Sequence, residues 1–208
     1  MHKNKAIAIT QGDSAGIGPE IIAKVFREQP ALLQGCFVVG DVATMRRGAQ
    51  AIAVAGETSL PVAVIASPDE AWQVPPRCIP VLELPDMPPP APWGQITDSA
   101  GAAAAACVQW AARAALRGEI AALVTAPLHK EALHAGGVTY PGHTELLQAE
   151  AAQHAGVAMS EMPVRMMLAN DELCTVLVSI HVSLRKALEA VTLDNILQTL
   201  QITHAALQ

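Results

Sequence analysis

The stretch PLHKEALHAGGVTYPGHTELL, residues 127–147, carries three of the chain's seven histidines within fifteen positions. His129 and His134 read as helix-surface residues. His143 stands instead in Pro-Gly-His-Thr-Glu, a tight turn of the kind that opens a helix. Gly142 permits the turn, Thr144 can cap the helix or meet a ligand, and Glu145 suits a first helical turn. Histidine is a poor default cap, so a ring aimed at substrate and a ring that merely packs both fit this pattern. A second candidate is GDSAGIGPE, residues 12–20. Glycines after a strand and before a helix let backbone amides approach an anion. The spacing is neither GxGxxG nor a P-loop, and Asp13 would repel a phosphate unless its carboxylate turns away. A structural turn and a ligand-binding one both remain open here. A third candidate is His181, at the end of the apolar run TVLVSIH. Ligands gather at strand ends in α/β folds, and a neutral imidazole there can ligate a divalent metal, given at least two further protein ligands. A lone histidine is as readily structural. His154 and His204 look like outer-face helix residues.

The elements that must position these groups alternate. KAIAIT (5–10), CFVVG (36–40), PVAVIA (61–66), IPVLEL (79–84) and IAALVTA (120–126) read as strands, the last of them buried. Helices are expected from about Pro19, over 45–53, over the alanine-rich 99–117 capped by Asp98 or Ser99, and from Glu145 to His154. PDMPPPAPWG (85–94) must be a surface loop, because proline lacks the amide donor. VRMMLA (164–169) and LCTVLVSI (173–180) flank Asn170-Asp171-Glu172 as a hairpin, with His181 continuing the alternation of the second strand. Helices over 184–190 and 193–207 follow. Alternating strands and helices with one hairpin predict an α/β sandwich with a mixed sheet.

Composition bounds the function. Hydrophobic residues make up 51% of the 208 and charged residues 15%, with three Trp, two Phe and one Tyr, so the core is aliphatic. A net charge of -6 and a pI near 5.6 argue against a nucleic-acid partner. Charges or prolines interrupt every apolar run before it could span a bilayer, so no membrane association is expected. Only five residues separate the basic start from Gln11-Gly12-Asp13, too few for the apolar region of a secretory signal, which predicts a cytoplasmic protein. Cys36, Cys78, Cys107 and Cys174 form no CxxC pair and are expected as buried free thiols.

Taken in order, ITQGDSAGIGPEII, VTAPLHKEALHAGGVTYPGHTELL and VSIHVSLRKAL resemble the N-terminal signatures of the 4-hydroxythreonine-4-phosphate dehydrogenase family. The resemblance implies an isocitrate/isopropylmalate-dehydrogenase-like α/β/α sandwich, with a first subdomain over 1–126 and the start of a second, incomplete one over 127–208. It implies a homodimer whose active site lies between subdomains and is completed by the partner subunit. It also implies an oxidoreductase of pyridoxine biosynthesis that uses NAD or NADP and a divalent metal (Zn, Mg or Co). Such an enzyme oxidises 4-phosphohydroxy-L-threonine, and the resulting β-keto acid then loses carbon dioxide. His143 and Thr144 would contact substrate and His181 would ligate the metal; no catalytic or cofactor-binding residue is assigned. HAGGVTYPGHTELL and HVSLRKAL are as close to the branch acting on D-threonate or D-erythronate 4-phosphate, also phosphorylated four-carbon hydroxy acids. Ser14 and Ser183 replace prolines usual in the family. Relatives also run on to further metal histidines, phosphate-binding residues and most of the cofactor pocket. The chain therefore reads as a truncated, N-terminal portion, and a non-catalytic fragment is the alternative. An acyltransferase of the phosphotransacetylase type is a third class, without support from the histidine motifs.

Overall fold

A computed structural model describes residues 5–208 apart from 55 and 57. The chain divides into two compact units, the first ending at Val157 and the second covering Ala158–Gln208.

In the first unit, apolar strands and amphipathic helices alternate: β1 (Ile7–Thr10), α1 (Gly18–Glu28), β2 (Cys36–Gly40), α2 (Val42–Ala51), β3 (Val62–Val64), β4 (Ile79–Glu83), α3 (Asp98–Leu116), β5 (Ala122–Thr125), α4 (Lys130–Ala135) and α5 (His143–Ala155). The five strands form one parallel sheet in the order β3-β4-β2-β1-β5. β2 shows why its sequence is apolar throughout. Phe37 and Val39 point into the layer under α3, with Cys107, Ala111 and Ala114. Cys36 and Val38 point into the opposite layer, with Ile22 and Phe26 of α1 and Met45 of α2. A parallel strand covered on both faces needs no polar alternation, and each fully buried Val or Phe contributes about 1.5–3 kcal/mol. The segment 127–157, expected to open the second subdomain, packs here on α3. Leu133 of α4 and Leu146 of α5 are buried against Ala105 and Val108.

The expectations for the cap of α3 and for β5 change. The N-cap of α3 is Thr97, whose hydroxyl accepts from Ala100 N at 3.2 Å. Asp98 already lies inside the helix and accepts from Ser99 N instead. β5 is not a buried strand: Val124 is 52% exposed and lines an apolar groove of about 380 Å³ with Ile9, Ile21, Val25 and Leu32. Among the described residues β5 is the outermost strand beside β1, so one edge and part of one face lie open.

The second unit holds an antiparallel hairpin, β6 (Met167–Ala169) and β7 (Cys174–Val176), then α6 (Leu184–Glu189) and α7 (Leu193–Ala206). The antiparallel pairing expected within a mixed sheet thus forms a two-stranded sheet of its own. Asn170 closes the hairpin, its Oδ1 accepting from Glu172 N and Leu173 N, a side-chain mimic of a backbone turn. Arg165 ties the segment before β6 to α7 through Thr199 Oγ1 (2.8 Å) and Gln198 Oε1 (2.6 Å). Three cysteines are buried free thiols as expected, but Cys174, on the short hairpin, is exposed. No helix among the described residues is long and apolar enough to cross a membrane.

Candidate functional site

The glycine turn sits at the C-terminal end of β1. Gly12 adopts φ +71, and a Cβ there would lie 2.3 Å from the Pro127 carbonyl oxygen. Asp13 N donates to that same carbonyl at 3.0 Å. The Asp13 carboxylate turns back on its own loop and accepts from Ala15 N at 2.9 Å. α1 then starts at Gly18-Pro19 with no side-chain cap. The adjoining N-terminus of α2 is closed to anions, because Asp41 accepts from Ala43 N and Thr44 N while Glu83 accepts from Val42 N. Gln11, fully buried, ties β1 to this corner by accepting from Asp41 N at 2.7 Å.

From Pro127 the chain enters α4. His129 is its N-cap, with Nδ1 accepting from Ala132 N at 3.4 Å, so it is more than a helix-surface residue. α4 lies almost in contact with α3, since a Cβ on Gly101 would sit 1.8 Å from the Ala132 carbonyl oxygen. α5 is seated by Leu146, fully buried, and by Glu150. The Glu150 carboxylate accepts a two-pronged bond from Arg113 of α3, at 2.7 and 3.0 Å.

These contacts fix the N-terminal end of α5, where His143 is the first helical residue and Thr144 the second, both half-buried. Gly142 supplies no side-chain cap. Burial pulls the His143 pKa below the ordinary 6.5, which favours the neutral ring at neutral pH. Its Nε2 is buried without a hydrogen-bond partner. A buried imidazole nitrogen without a partner has given up its hydration and is open to a hydrogen bond from a water or another polar group.

His181 belongs to the second unit, five residues beyond β7. The expected strand to Ile180 ends at Val176, because β6 offers only a three-residue partner and pairing stops once Leu177 N has bonded to Met166 O. His181 is exposed, in the left-handed region at φ +57, just before Ser183 caps α6. Histidine tolerates that conformation better than most side chains, at a cost of roughly 1 kcal/mol. Among the described residues no group of three His, Cys, Asp or Glu side chains comes together as a metal site. The donors present here thus do not complete one around His181.

One residue that carries no sequence signal organises the glycine turn. Arg47 reaches from α2 to the Ala91 carbonyl (2.6 Å) and to the Ser14 carbonyl, and its guanidinium lies 4.0 Å from the centre of the Trp93 ring.

The family described as "Pyridoxal phosphate biosynthetic protein PdxA" matches residues 33–208. The chain belongs to this family. Among PdxA relatives, a 4-hydroxythreonine-4-phosphate dehydrogenase of Trichlorobacter lovleyi is 37% identical over 200 residues, which is 95% of this chain and 56% of that protein. A D-threonate 4-phosphate dehydrogenase of Salmonella typhimurium is 39% identical over 191 residues, 91% of this chain and 55% of that protein. The crystal structure of a 4-hydroxythreonine-4-phosphate dehydrogenase from Burkholderia phymatum matches with a TM-score of 0.82 at 34% identity, over 99% of this chain and 59% of that one. The α/β fold is therefore the PdxA fold, and the chain spans little more than half the length of these relatives.

Proposed function

We propose that this chain supplies the substrate-contacting end of α5 to an NAD(P)-dependent dehydrogenase of phosphorylated four-carbon hydroxy acids, 4-phosphohydroxy-L-threonine first among them. The buried, unpartnered Nε2 of His143, at a helix N-terminus that no side chain caps, is the observation that carries this reading. The free amides and the positive end of the helix dipole suit a phosphate or carboxylate. The neutral ring suits a substrate hydroxyl, accepting its proton in a hydrogen bond or donating to its oxygen according to tautomer. Thr144 adds a hydroxyl one residue on. A bound nicotinamide would supply the hydride acceptor. His143 and Thr144 would bind and orient substrate. His181 would be one ligand of a divalent metal. Homodimerisation belongs to the same proposal.

Relatives of both names match at nearly the same identity, which supports D-threonate 4-phosphate as the second reading, with D-erythronate 4-phosphate as its variant from the sequence resemblance. Titrating the 208-residue chain with each of the three acids, while following the His143 ring and the amides of the first turn of α5 by NMR, tests this. The reading expects one acid to shift both sets of signals. If all three leave His143 unmoved, the substrate role is lost. On its own the chain is expected to bind without reducing NAD(P), and NADH production by it would refute that expectation.

A further inference from the structure

We propose that Arg47 is a positioning residue: its guanidinium fastens the proline-rich loop 85–94 to the glycine turn 12–18, so that loop and turn hold or release together. This rests on geometry alone and does not depend on the reaction proposed above.

The guanidinium meets two segments far apart in sequence and satisfies a carbonyl on each. Nη1 donates to Ala91 and Nη2 to Ser14. Its face is covered by Trp93, and its Nε is buried without a partner. Around this head the two segments also touch directly. Gly94 N donates to the Ala15 carbonyl at 2.9 Å, and Ala15 and Ala91 are buried together with Ala100 of α3. A planar fork can satisfy two carbonyls and stack on a ring at once, which the point charge of a lysine cannot do.

The consequence passes beyond the loop. Ser14 follows Asp13, whose amide holds the Pro127 carbonyl. Pro127 leads directly into α4 and α5. If Arg47 lets go of Ser14, the turn is free to leave Pro127, and the anchored start of the histidine-bearing segment goes with it. A surface arginine that only decorated the loop would have no such reach.

Hydrogen exchange on the 208-residue chain tests this, reading the amides of Asp13, Ala15 and Gly16 in the turn and of Gly94 and Gln95 in the loop, with β2 and β4 as internal references. Arg47→Ala is expected to speed exchange in both segments by on the order of tenfold, as one lost hydrogen bond would, with β2 and β4 unchanged. Adding methylguanidinium to that variant is expected to restore protection in both. Arg47→Lys, which keeps the charge without the fork, is expected to leave both segments fast. Full protection in Arg47→Lys, or a turn that stays protected while the loop loosens, would overturn the proposal. So would failure of methylguanidinium to restore either segment. Should Arg47→Ala not fold, Trp93→Leu removes only the stacking face. A smaller but joint increase in both segments is then expected, and an increase in the loop alone would reject the coupling.

Discussion

The two compact units bury very different shares of similar apolar material. In the first, Phe37, Val38, Val39, Ile79 and Val81 are fully buried between two helical layers. In the second, Leu184, Leu188, Val191, Leu193 and Leu200 all lie more than 60% exposed, and Thr199 is the one buried residue among those described. α6 and α7 are nevertheless well-formed helices, each capped by a hydroxyl, Ser183 for α6 and Thr192 for α7. Both helices are closed locally by their caps, while a core needs a second layer for the apolar faces to meet.

The thiols offer the widest contrast between the units. Burial pushes the Cys107 thiol up to about 12, whereas Cys174 is exposed on β7. In the native protein a thiol reagent should modify Cys174 at once and reach Cys107 only through unfolding, a rate difference of at least about a thousandfold for a unit of ordinary stability. Comparable rates, followed by mass spectrometry of labelled peptides, would break the comparison.

Side-chain truncation should follow the same division on a smaller scale. Phe37→Ala is expected to remove about 3–5 kcal/mol from the unfolding free energy of the first unit. Leu200→Ala, at a site 61% exposed, should change stability by less than about 0.5 kcal/mol. Urea denaturation of the two variants checks this, and equal losses would mean that the second unit has a core after all.

Glu150 sharpens the comparison inside the first unit. Glu150→Ala leaves its partner Arg113, which is half exposed, free to turn to water, so a loss of about 1–2 kcal/mol is expected. The NMR signals of His143 should shift with it, because the seat of α5 loosens; stability loss without any change at His143 would separate the two.

The smallest effect is a pH dependence. The folded His143 pKa lies below the ordinary 6.5, so the unfolded chain binds its proton first as pH falls. Stability should therefore decline as pH drops through 6.5 toward the folded value, and be fully present above 6.5. His143→Asn should flatten that slope in thermal melts taken between pH 5 and 7.5. An unchanged slope would mean the buried ring is not its source.

Much of this architecture could be read from residue order alone. CFVVG is β2 to the residue, and the helix starts expected at Leu184 and Leu193 are where Ser183 and Thr192 cap α6 and α7. The readings that differ are those that depend on neighbours. An apolar run says that a strand can be covered on both faces, not that it is, and β5 lies at an edge. LCTVLVSI alternates well enough for eight residues of strand, but ladder length is set by the partner, and β6 is short. His143 stood out because its residue type is unusual in that turn. Arg47 did not, because an arginine on a helix surface has the same local pattern whether it meets solvent or two carbonyls on distant loops.

α3 buries a face made of Ala100, Gly101, Ala103, Ala104, Ala105, Ala111, Ala112 and Ala114, with Cys107 and Val108 as the members that have a side-chain torsion to set. Alanine and glycine surrender no rotamer freedom on folding. The same simplicity leaves the helix with almost no alternative packing states: where α4 and α5 rest on it, there are few side chains that could flip to absorb a displacement. A shift of α3 is then absorbed by the leucines of α4 and α5 and by the Arg113–Glu150 pair, since α3's own alanine face has nothing to repack.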